Sequence, residues 1–152
     1  MDFRQIVLVQ DSWSKLTDRL DTLGTLFYWR LFELDHSLRP LFKHDIHRQQ
    51  HKFTSTVSYI VANLEQPQQF FHSTRLLGQQ HARLGVRSEH YHTVAQAFLW
   101  ALQEMLGHQF TPEHYQAWET AYYLIAGLMK EAAANSKADE TPIIVRQSVL
   151  YP

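Results

Sequence analysis

Apolar residues recur at steps of three and four along most of this chain, and no stretch joins strand-like alternation to hairpin turn residues. The pattern predicts an all-α domain. Ile6, Val9, Trp13, Leu16 and Leu20 make one stripe of a first helix about five turns long. Asp21 is a candidate N-cap for a second helix, with Leu23, Phe27, Leu31 and Leu34 at steps of four and Tyr28 beside them. Gly24 lies inside it, where glycine costs about 1 kcal/mol relative to Ala and often marks a close helix crossing.

The segment Ser37–Phe42, SLRPLF, is too short for a packed helix, and Pro40 suits a 3₁₀ piece. Helical spacing returns from about Ile46 to Leu64 through Gln49, Phe53, Val57, Ile60 or Val61, and Leu64. Pro67 restarts the chain near a helix N-terminus. Phe70, Thr74, Leu77, His81 and Leu84 then form a stripe that Gly85 stops in a C-cap position. Ser88 and Glu89 open the next helix, striped by Tyr91, Val94, Phe98, Leu102 (or Ala101) and Met105 and ended by Gly107. Thr111, Pro112 and Glu113 cap the last, which carries Tyr115, Trp118, Tyr122, Ile125 and Met129. The helical domain is expected over residues 1–134, followed by a tail, 135–152, with an apolar end from Ile143 to Tyr151. No internal repeat supports a solenoid.

Composition narrows the function. At 152 residues the chain is the size of one domain with a sizeable core. Fourteen Lys and Arg against fifteen Asp and Glu give a net charge of −1, which supplies no footprint for nucleic acid or an anionic membrane. No apolar run reaches the roughly 18 residues of a bilayer span and no signal peptide opens the chain, so a cytoplasmic location is expected. The absence of cysteine excludes disulfides, thiolate metal sites, iron–sulfur clusters and cysteine nucleophiles. The motifs G-x-S-x-G, G-x-x-x-x-G-K and G-x-G-x-x-G are also missing, which removes the common hydrolase and nucleotide-enzyme readings.

His81 is the most informative position, because it sits in an otherwise apolar stripe between Leu77 and Leu84. By itself it reads as a core histidine satisfied by hydrogen bonds. The alternative is an iron ligand whose opposite ring nitrogen is held by a carbonyl, for which Leu77, one turn back, is placed. Gln49 heads the buried stripe of its helix, and Tyr28 near the buried side of the second helix needs a partner for its hydroxyl. Each also reads as an ordinary helix-end or interface residue, and Phe42 as core. His44, His47 and His51 suggest zinc, but no H-E-x-x-H arrangement or third ligand accompanies them, and solvated histidines fit better.

Over about residues 3 to 134 the chain resembles the globins. The resemblance is carried by GTLFYWRLF at Gly24–Phe32, LRPLF ending at Phe42, LGQQHARLGV at Leu77–Val86 and LGHQFTPEHYQAWETAY at Leu106–Tyr122, in order and at globin spacing. The histidine segment and the FTP…AW stretch look like neuroglobin. Tyr28 and Gln49 look like the distal pair of bacterial single-domain haemoglobins and of flavohaemoglobin globin domains, the bacterial single-domain group being the better match.

The resemblance implies a globin fold of seven to eight helices around a pocket for haem b. It makes His81 the proximal iron ligand and Phe42 a wedge against the haem. Gln49, 32 residues before His81, becomes the distal polar residue, with Phe53 one turn on. Leu77, Val86, Tyr91, Val94, Phe98, Tyr122 and Ile125 are expected around the cofactor, and Lys52 beside a propionate. Helical geometry turns His47 and His51 away from the face of Gln49, so an open sixth position is expected. Donors from Tyr28 and Gln49 would stabilise the negative charge that dioxygen develops there, giving tight binding and slow release. One departure concerns the flavohaemoglobin pattern of a tyrosine and a glutamate around the proximal histidine. Tyr91 matches the tyrosine, but the glutamate position aligns with Ala133, and Glu131 is rotated about 200° from it. A weaker proximal push follows.

The function implied is oxygen binding or transport, with NO and CO, and also sulfide or cyanide, as further ligands. The 152 residues hold no flavin or nicotinamide reductase segment, so nitric oxide detoxification as a dioxygenase would need an external reductase. A haem-based gas or redox sensor acting through the tail or a partner is the alternative, and a haem-free interaction domain is opposed by the joint presence of His81, Phe42, Tyr28 and Gln49. Both a monomer and a homodimer fit the sequence.

Overall fold

The computed structural model describes residues 1–43 and 45–136. Among these, six α-helices and two 3₁₀ turns account for the regular structure, with no strand. The helices are α1 (Phe3–Ser14), α2 (Leu20–Leu34), α3 (Ile46–Ala62), α4 (Pro67–Arg83), α5 (His90–Leu106) and α6 (Pro112–Ser136), with 3₁₀ turns at His36–Leu41 and Gly107–Gln109. The expected tail lies outside the described residues from 137 onward, as does His44. No helix among the described residues is long and apolar enough to cross a membrane.

Local chemistry sets the boundaries. Asp2 and Gln5 form a reciprocal capping box on α1. That helix ends at Ser14 rather than continuing to Leu20. The hydroxyls of Ser14 and Thr17 donate to the carbonyls of Asp11 and Ser14, while Leu16 and Arg19 make three-residue backbone bonds that tighten the chain into a turn. Leu20 therefore opens α2, and Asp21, expected as its N-cap, lies in its first turn, where a carboxylate favours the positive end of the helix dipole. Leu16 remains fully buried from the turn.

The core joins α1, α2, α5 and the start of α6 through Val9, Trp13, Leu23, Phe27, Leu31, Leu102 and Trp118. Trp118 donates through its indole to the buried hydroxyl of Ser12 at 2.9 Å, so two polar groups enter the core already paired. Two glycines set helix crossings. A Cβ on Gly24 would stand 3.1 Å from the Cβ of Gln50, which bears out the expected close approach and brings α2 against α3. A Cβ on Gly78 would collide with the carbonyl oxygen of Met129, so α4 and α6 meet backbone to backbone. Around these crossings the helices leave one large cavity.

Candidate functional site

The cavity measures about 600 Å³ and lies between α2, α3, α4, α5 and α6. Its size falls within the range of small-molecule and cofactor sites. Among the sequence candidates, Tyr28, Phe42, Gln49, Lys52, Phe53, Leu77, His81, Tyr91, Val94, Phe98, Tyr122 and Ile125 line it. Val86, also expected in the lining, is absent from it. Gly85 takes a φ of +93°, and Val86 packs against Tyr91, Ala126 and Met129, which themselves line the cavity.

The end of α4 fixes His81. The amide of Val86 donates to the His81 carbonyl at 2.9 Å and that of Gly85 to Ala82 at 3.1 Å, a double bond pattern that terminates the helix through a left-handed glycine. The ring is held from the opposite direction, with Nδ1 2.8 Å from the Leu77 carbonyl. A carbonyl only accepts, so Nδ1 carries the hydrogen and Nε2 keeps its lone pair. Burial lowers the His81 pKa, against a smaller upward pull from the Leu77 bond, so the neutral imidazole is favoured. A neutral imidazole with a fixed tautomer is the form that ligates a metal.

The Gly24 crossing brings Tyr28 of α2 against Gln49 of α3. The Gln49 amide nitrogen donates to the Tyr28 hydroxyl at 3.2 Å, and Tyr28 is only 3% exposed. An aromatic cage surrounds the pair. Phe42 meets the Tyr28 ring edge-on at 5.3 Å, and Phe53 stacks on Phe27 at 4.1 Å, with Phe98 perpendicular to both. Tyr122 spans the other wall, its hydroxyl donating to the Tyr91 carbonyl. Burial raises the phenol pKa of both tyrosines, so they stay neutral.

Among the described residues, the lining contains two cations, Lys52 and Arg83, no carboxylate and one histidine, His81. No group of three or more His, Cys, Asp or Glu that could hold a metal ion occurs among the described residues. An iron bound here by one imidazole must therefore bring its remaining ligands with it. A macrocycle with carboxylate arms meets that need, since its ring fits the apolar walls and its arms fit Lys52 and Arg83. The donor set and the lining are those haem requires.

Arg83, Leu84 and Met129 also line the cavity although they were not singled out from the sequence. Leu84 and Met129 sit on stripes already read as helical, but nothing in the order of residues separates a cavity wall from ordinary core. Leu84, read as a stripe residue, is 62% exposed yet still borders the cavity.

A family model described as globin matches residues 25–129. The flavohemoprotein of Bacillus subtilis is 27% identical over 83% of this chain, and that of Xylella fastidiosa strain Temecula1 is 30% identical over 85%. The chain spans only about a third of the length of these two, 32% and 33%. Neuroglobin of Danio rerio is 26% identical over 85% of this chain and 90% of its own length. Among solved structures, an engineered carbene transferase built on RmaNOD, a candidate nitric oxide dioxygenase from Rhodothermus marinus, superposes with a TM-score of 0.84. Its sequence identity is 28%, with 91% of this chain and 96% of that one covered.

Proposed function

This chain belongs to the globin family, and from that premise we propose that it is a haem protein that reversibly binds O₂, with NO and CO as further ligands. The observation that carries this reading is one cavity holding both a tautomer-fixed imidazole, His81, and a hydrogen-bonded donor pair, Tyr28 and Gln49. When bound, haem b supplies an iron centre that takes diatomic gases and cycles between two oxidation states.

The chain's own residues do the rest. His81 holds the iron through Nε2, oriented by Leu77. Lys52 and Arg83 would hold the propionates, and Leu77, Tyr91, Val94, Phe98, Tyr122 and Ile125, which line the cavity, would enclose the ring. Phe42 and Phe53 exclude water. Tyr28 and Gln49 present phenol and amide donors to a ligand that gains negative charge, which favours O₂ and slows its release. His47 and His51 are exposed on α3, and neither lines the cavity, which supports an open sixth position.

In a cytoplasmic setting the same pocket suits oxidation of nitric oxide to nitrate by O₂, with electrons from an external reductase. The flavohemoproteins and the engineered transferase favour that direction. Absorption spectra of the purified protein test the reading as isolated, after reduction, and after O₂ and CO. A five-coordinate ferrous spectrum that converts to oxy and CO forms is expected. A six-coordinate ferrous spectrum overturns the open pocket, and failure to bind haem after reconstitution overturns the cofactor.

A further inference from the structure

Lys130 on α6 sets its ammonium 5.4 Å from the centre of the Tyr91 ring. Tyr91 is 7% exposed and forms part of the cavity wall, whereas Lys130 is half-buried and stands outside the lining. The cation thus lies behind the wall, unlike Lys52 and Arg83. Both partners of this contact are pinned. The Met129 backbone, one residue before Lys130, is pressed against Gly78, and the Tyr91 carbonyl accepts from Tyr122.

Lys130 makes no ion pair among the described residues, and no carboxylate lines the cavity. The phenol of Tyr91 stays neutral, because burial raises its pKa. The wall around Tyr91 is apolar, formed by Leu77, Val94, Ile125 and Met129, so a charge held against it is screened less than one in open water. The contact is an attraction between a cation and the negative face of a ring.

We propose that Lys130 is a positioning residue for charge, holding a positive potential against the proximal wall through Tyr91 and so favouring the reduced state of the haem held by His81. This rests on the haem reading above. Gain of one electron removes one unit of positive charge from the iron site, and a fixed cation nearby makes that change more favourable. Lys130 therefore raises the midpoint potential relative to the same pocket without the charge.

The test is a mediated redox titration of the haem-loaded full chain at low ionic strength, comparing wild type with Lys130→Met, Lys130→Glu and Lys130→Arg. Lys130→Met is expected to move the midpoint negative and Lys130→Glu about twice as far, since the charge changes by one and two units. Lys130→Arg should keep the wild-type value, as should Lys15→Met, which removes a cation paired with Asp11 on α1. Equal shifts for the Met and Glu variants would mean lost packing rather than lost charge and overturn the proposal, as would an unmoved midpoint. A wild-type protein that takes up no haem removes the cofactor reading and this inference with it. A loaded protein with an unmoved midpoint removes the inference alone.

Discussion

A side chain on Gly78 would run into the carbonyl oxygen of Met129, so the backbones of α4 and α6 touch three residues before His81. This crossing sets the distance between the helix that carries the imidazole and the helix that closes the far wall. Only hydrogen fits at residue 78.

Gly78→Ala is therefore expected to destabilise the protein by about 1–3 kcal/mol, since backbone atoms must move apart and the gain in helix propensity is smaller. Gly127→Ala is the matched comparison, because nothing lies within 4 Å of its added Cβ. It should stabilise by up to about 1 kcal/mol. Urea unfolding of the two variants checks both signs.

Tyr28→Phe removes the phenol donor while keeping the ring among Phe27, Phe42 and Phe53. Loss of one charge-assisted hydrogen bond, about 1.5–3 kcal/mol, should speed O₂ release roughly 10- to 100-fold. Gln49→Leu should act in the same direction. Because Gln49 donates to the Tyr28 oxygen, the double variant should fall short of the sum of the two. Stopped-flow displacement of O₂ by CO measures all three.

His81→Gly should abolish haem retention under conditions where wild type stays loaded. Added imidazole should restore a five-coordinate ferrous spectrum, since the cavity around the lost ring remains. Failure of imidazole to restore it would point to a structural role for the His81–Leu77 bond beyond ligation.

Asp35 should show a carboxyl pKa below its ordinary 3.8, held down first by the Ser37 hydroxyl at 2.6 Å and by the Ser37 amide at 3.0 Å. Its contribution to stability is complete above 3.8 and is lost as pH falls through the lowered folded value. Carboxyl NMR titration reads the pKa directly. Ser37→Ala should raise it toward 3.8.

His81 stood out because an imidazole interrupts a largely apolar stripe, but that pattern by itself reads as a core histidine, and only the resemblance to the globins implied an iron ligand. Gly85 was legible because a glycine past the last stripe residue marks a left-handed cap. The helices α3 to α6 were legible for the same local reasons. The end of α1 was not, because periodicity carries through Leu16 and Leu20 while the backbone tightens on hydroxyl bonds that no apolar pattern records. Where Val86 sits was not legible either, because it follows a glycine at φ +93° and packs against Tyr91, Ala126 and Met129, a contact between helices that no periodicity records.

By itself the order of residues determined the helical class, the position of the imidazole and the polar nature of residues 28 and 49, since each depends on neighbours within a turn or two. The tertiary structure decided that Tyr28 meets Gln49, that α6 sits on Gly78, and that Lys130 reaches Tyr91 across 39 positions of sequence. Those contacts follow from where helices cross, and a crossing is fixed by the packing of two surfaces together rather than by the periodicity of either.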